Sequence, residues 1–157
     1  MSTKIALLVG CGTAIWIAAL TIGLIVGLLI HVTKDVEGVT VSIDSPLDVK
    51  VGETFTMKVN VTNEREKKVL SVSDIDFSNE YISGFVVIST DPTHKSSMLV
   101  GFDNSISYTF DTTISAGSSK DFTFVLRAEQ PGIFRGDVDV YEGARFITKT
   151  AQTVVSE

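Results

Sequence analysis

An uncharged run of 26 residues, Ile5 to Ile30, occupies the start of this 157-residue sequence. As an α-helix it would extend about 39 Å, at 1.5 Å per residue, and a bilayer core is about 30 Å thick. It can therefore span a membrane with tilt or with one end among the headgroups. A cleaved signal peptide has a shorter apolar core, about 7 to 15 residues, and then a small-residue cleavage site. Here the run is longer and no polar break follows such a site. The sequence predicts a single transmembrane helix over residues 1–32, retained as a signal anchor. Of the 13 Lys and Arg and 19 Asp and Glu residues, only Lys4 precedes Lys34. Lys4 and the α-amine place two positive charges before the helix, which favours a cytoplasmic N-terminus and an extracytoplasmic polar domain.

Two other fates of the N-terminus compete with the anchor. Leu8-Val9-Gly10-Cys11 has the form of a lipobox, with Cys11 as the lipidated residue. Only Ile5 to Val9 precede Gly10, however, and the chain stays apolar after Cys11. A hydrophobic helix followed by a β-rich head also resembles the layout of pilin and archaellin filament subunits, whose short leaders carry basic residues. Lys4 is the one base here. Small residues in the run form two four-residue tracks: Ala6, Gly10, Ala14 and Ala18 on one face, and Ala19, Gly23 and Gly27 on roughly the opposite one. Such spacing lets helix backbones approach closely in lipid. The partners expected are membrane lipid and other transmembrane helices, from copies of this chain or from a membrane complex. Trp16 sits near mid-run rather than at an interface.

After a short linker, residues 33–38, the period changes to two. Val39, Val41 and Ile43 alternate with polar residues until Ser45-Pro46 breaks the strand. Phe55, Met57, Val59 and Val61 alternate next, and Asn63 to Lys68 reads as a charged loop tip. Val69 to Phe77 is a less regular strand with an expected bulge near Ser73. Phe85-Val86-Val87-Ile88 is an apolar run expected to be buried on both sides. Ile106, Tyr108 and Phe110 alternate, as do Phe122, Phe124 and Leu126, then Phe134, Val138 and Val140. Ala116 to Ser119, Gln130 to Gly132 and Glu142-Gly143 supply turns. Short strands separated by such turns predict an antiparallel β-sandwich over residues 39–157. Its expected core includes Phe55, Met57, Val59, Phe122, Phe124, Leu126, Phe134 and Val138.

Two phrases carry a resemblance. Val49 to Asn63 (VKVGETFTMKVNVTN) and Ile114 to Phe124 (ISAGSSKDFTF), the latter followed by Pro131-Gly132-Ile133-Phe134, are similar to prokaryotic cell-surface immunoglobulin-like domains of the CARDB and NEW3 kind. The resemblance implies an all-β, immunoglobulin-like sandwich that serves as a spacer, adhesion module or accessory part, without catalytic residues. A second β-sandwich layout, the membrane-anchored cupredoxin, also has an N-terminal helix, and Pro131 to Gly136 resembles its proline-glycine turn. Copper needs imidazole and thiolate or thioether donors. Residues 39–157 contain no Cys, His94 as the one His, and Met57 and Met98, while Val138, Glu142, Phe146 and Lys149 stand where ligands would be. Only a ligand-free relative fits.

Little else suggests chemistry. A net charge of −6 and no basic run longer than two residues argue against nucleic acid. One cysteine excludes a disulfide framework. His94 lies among Asp91, Ser96 and Ser97, but a nucleophilic triad is defined by geometry rather than proximity in sequence. Asp137, Asp139 and Glu142 could offer oxygens to calcium, yet on a strand they read as a solvated face. Arg135-Gly136-Asp137 falls inside an alternating strand, unlike an adhesion loop. Asn60-Val61-Thr62 is a glycosylation sequon with Asn60 facing outward. The expected function is a non-enzymatic, single-pass membrane protein, without cofactor or metal, acting through its immunoglobulin-like domain.

Overall fold

The computed structural model describes residues 36–101 and 103–157. The expected anchor, its tracks of small residues, Cys11 and Trp16 lie outside the described residues. Among the described residues no helix is long and apolar enough to cross a membrane.

Ten strands are described: β1 (Val39–Asp44), β2 (Asp48–Lys50), β3 (Thr54–Asn63), β4 (Leu70–Ser78), β5 (Phe85–Asp91), β6 (Ser96–Val100), β7 (Ser105–Ile114), β8 (Ser118–Ala128), β9 (Gly132–Glu142) and β10 (Arg145–Ser156). A one-turn helix, α1 (Asn79–Ile82), follows β4. The strands form a four-stranded sheet, β1-β3-β8-β5, and a six-stranded sheet, β2-β10-β9-β4-β7-β6. Period-two patterning explains both faces. In β3, Phe55, Met57, Val59 and Val61 point inward and are buried, while Thr54, Thr56 and Lys58 are exposed. All eight residues expected in the core are buried. Phe124 of β8 lies at the centre, with its ring 4.8 Å from Phe77, 5.5 Å from Tyr108 and 5.8 Å from Phe110, each edge to face. Such pairs add about 0.5–1.5 kcal/mol beyond area burial.

The order β1-β3-β8-β5 matches the A-B-E-D sheet of an immunoglobulin fold, and β10-β9-β4 matches its G-F-C sheet. One pairing departs from the expected antiparallel pattern. The Ser45-Pro46 break carries the chain from one sheet to the other, so β2 pairs with β10 in parallel. There the Thr153 hydroxyl donates to the Pro46 carbonyl (3.2 Å) and the Val154 N–H to the Leu47 carbonyl (2.7 Å). The β6–β7 hairpin extends the six-stranded sheet beyond β4, after β5 has crossed to the other sheet.

The irregular β4 has its register shift between Val72 and Asp74, where the bulge was expected. The run Phe85 to Ile88 is corrected: β5 is an edge strand, with Val86 42% and Ile88 50% exposed. One neighbour, β8, satisfies its backbone, and Phe85 alone of the four residues is buried. The Asn63–Lys68 segment is more than a charged tip. Asn63 is fully buried and donates to the carbonyls of Lys68 (2.9 Å) and Ile114 (3.0 Å). Arg65 makes a bidentate pair with Glu142 (2.7 and 2.8 Å) and donates to the Glu37 carbonyl (2.9 Å). Val36 is buried and the Gly38 carbonyl accepts from Glu64 N–H (2.9 Å), so the last part of the expected linker is attached to the sandwich.

Candidate functional site

The most unusual polar arrangement lies on the outer face of the six-stranded sheet. Outward positions of β4 and β9 alternate with the core residues Ile75, Phe77, Val138 and Val140. Register then sets side chains opposite one another: Thr148 of β10 faces Asp139 of β9, Asp139 faces Asp76 of β4, Asp76 faces Ser107 of β7, and Ser107 faces Met98 of β6. Two carboxylates thus occupy directly opposed positions on central strands, a pairing that costs stability when both are charged. Asp74 stands two residues before Asp76 on β4, and Asp103 on the β6–β7 turn completes the group.

Most of these carboxylates have a partner. Thr148 Oγ1 donates to Asp139 (2.6 Å), Thr109 Oγ1 to Asp74 (2.8 Å) and Ser105 Oγ to Asp103 (2.7 Å). Asp76 differs. It is 7% exposed, and its Oδ1 is buried without a hydrogen-bond partner. Burial pushes its carboxyl from the ordinary 3.8 up to about 6; the Ser107 hydroxyl opposes the shift, and Asp74, Asp103 and Asp139 add to it. Burial also raises Asp139, against its Thr148 hydrogen bond, with Asp137 and Asp103 adding. The Tyr141 phenol is pushed up to about 12, first by burial and then by Asp76, Asp139, Asp103 and Asp74. Asp74, Asp76, Asp103, Ser107 and Tyr141 line an open cleft of about 240 Å³.

The residues singled out from sequence fall elsewhere or apart. Asp139 stands opposite Asp76 beside the cleft without lining it, Asp137 accepts from Thr150 (3.1 Å), and Glu142 is held by Arg65 and Arg145. Hydrogen bonding from Arg65 holds the Glu142 carboxyl below its ordinary value, with burial opposing and the Arg65, Lys68 and Arg145 charges adding. The three therefore do not converge, and among the described residues no group of three His, Cys, Asp or Glu side chains is placed to hold a metal ion. His94 is bound locally: its Nδ1 lies 2.9 Å from Thr90 Oγ1, which also accepts the His94 N–H. Asn60 is on the outer face of β3, where its Nδ2 donates to Asp121 (2.6 Å).

Gly136 has a packing role. A Cβ there would overlap Ser78 Oγ and come within 2.9 Å of the Tyr81 backbone nitrogen. The missing side chain lets α1 lie against β9 and bury Tyr81 and Ile82, while Asp137 N–H donates to Ser78 Oγ (3.0 Å). The Arg135-Gly136-Asp137 tripeptide is thus part of a strand that abuts α1.

No protein-family model matches the chain, and no curated protein matches it. Solved structures do. The C-terminal domain of the AgI/II polypeptide BspA from Streptococcus agalactiae superposes with a TM-score of 0.50 at 11% identity, covering 73% of this chain and 49% of that one. The cupredoxin domain of amoB from Nitrosocaldus yellowstonii gives 0.49 at 11% identity, covering 78% and 90%. The CARDB domain of the PF1109 protein from Pyrococcus furiosus gives 0.46 at 18% identity, covering 78% and 93%. Strand order and the BspA superposition support an immunoglobulin-like β-sandwich fold.

Proposed function

We propose that this chain is a non-enzymatic, single-pass membrane protein whose extracytoplasmic sandwich, of the CARDB or NEW3 kind, acts as an accessory subunit or protein-interaction module. The observation that carries the reading is the joining of one 26-residue uncharged run to one β-sandwich. The run has the length to span a bilayer. Lys4 before it favours a cytoplasmic N-terminus. Small residues at four-residue spacing suit contact with neighbouring helices.

Mild-detergent extraction of native membranes tests this directly. The chain is expected in the membrane fraction after alkaline washing, with an unprocessed N-terminus by mass spectrometry, and in a complex on a native gel. Recovery in the wash overturns the anchor. A lipid-modified Cys11 at the mature N-terminus, or a short cleaved leader, replaces the anchor with a lipoprotein or a filament subunit. A chain that migrates alone under every mild detergent overturns the interaction role.

A further inference from the structure

We propose that the acidic cleft on the six-stranded sheet receives a lysine or arginine side chain of a partner protein. The proposal rests on the interaction-module reading and gives its partner a chemistry. Three observations meet at Asp76. Asp76 and Asp139 are directly opposed on adjacent central strands. Asp76 is nine-tenths buried, with Oδ1 lacking any donor. The cleft it lines is walled by further acceptors, Asp74, Asp103, Ser107 and Tyr141.

The chemistry selects an organic cation. A buried carboxylate with one oxygen left without a donor is costly, and a charge-assisted hydrogen bond compensates it. The acceptors are spread along and across strands rather than arranged around a point. Adjacent outward positions on β4 are about 6.6 Å apart, and opposed positions on β4 and β9 are about 5 Å apart. A small metal ion needs its oxygens at about 2.0–2.6 Å, and no three described carboxylates are placed for that. An ammonium presents three donors on a flexible stem and a guanidinium five in a fork, which suits separated acceptors. The opposite charge also matches the concentration of carboxylates here. A second copy of the chain is disfavoured, because at net charge −6 each copy repels the other.

The test uses the full chain in detergent micelles, titrated with N-acetyl-arginine amide, N-acetyl-lysine amide, the neutral isostere N-acetyl-citrulline amide, and calcium chloride. Side-chain carboxyl signals of Asp76 and Asp139 are followed by NMR. The cationic amides are expected to shift them saturably and to lower the Asp76 pKa toward the ordinary carboxylate range. Citrulline should bind roughly tenfold more weakly, as should the cationic amides to the Asp76→Asn, Asp139→Asn double variant. Equal responses to citrulline and arginine, or no response to either cation, overturn the proposal. A saturating calcium response without an arginine response overturns it in favour of an ion site. If the native-gel complex forms and the double variant leaves it intact, the cleft assignment fails while the interaction role stands. If no complex forms with the wild-type chain, the interaction role itself fails.

Discussion

Asp76 is placed where a carboxylate is least comfortable when charged, and its environment determines how stability varies with pH. Its folded-state pKa, about 6, lies above the ordinary 3.8. Ionisation therefore penalises the native state fully above about pH 6, and the penalty fades as pH falls toward the unfolded value. A shift of that size corresponds to about 3 kcal/mol. Asp76→Asn removes the charge and keeps the shape, with Ser107 and Asp139 at hand as acceptors. The variant should gain on the order of 1–3 kcal/mol by urea denaturation at pH 7.5 and next to nothing at pH 3, below the unfolded value. An equal change at both values would show that Asp76 is not ionised against its surroundings. Glu142 has the opposite sign, since its pKa is lowered. Its contribution is present above the ordinary carboxylate value and is lost as acid protonates it and releases Arg65. None of the Asp76 arrangement was legible in the sequence. Asp74 and Asp76 alternate with Ile75 and Phe77 and so read as a solvated face, and only strand register reveals Asp139 opposite.

The strands were largely legible because one face of each is apolar, and the exceptions have physical causes. β5 carries a continuous apolar run, which in sequence is indistinguishable from a strand covered on both faces, and its edge position is a property of topology. β6 leaves no mark in the sequence, because Met98 and Leu99 are adjacent and both exposed, at 65% and 67%, so no alternation develops. α1 is a single turn, too short to develop a period. Its trace is Gly136, since a glycine inside a strand marks a close backbone approach. Gly136→Ala must displace Ser78 and the start of α1. Overpacking of this kind costs about 1–3 kcal/mol. The loss should appear in chemical denaturation, together with faster hydrogen exchange at Asp137, whose N–H is donated to Ser78. If Gly136→Ala is as stable as wild type, α1 yields freely and is not docked as a wedge.

The boundary of the sandwich follows from contacts rather than from the alternating pattern, which begins at Val39. Val36 is 3% exposed and shares a small gap with Leu70, Val72 and Ile147. Arg65, already bound to Glu142, reaches the Glu37 carbonyl, and Glu64 N–H reaches the Gly38 carbonyl. The compact unit that contains these residues begins at Asp35. A fragment of residues 36–157 retains every one of these contacts, and a fragment of residues 39–157 loses them while keeping all ten strands. Burial of one valine is worth about 1.5–3 kcal/mol. Both fragments should give β-dominated circular-dichroism spectra, and 39–157 should be less stable by roughly 2 kcal/mol in urea. A helix-dominated spectrum of 36–157 would remove the sandwich itself. Equal stability would return residues 36–38 to the linker and leave Arg65 with Glu142 as its only important partner. The larger loss would instead make Val36 the first core residue of the sandwich, three residues before β1 begins.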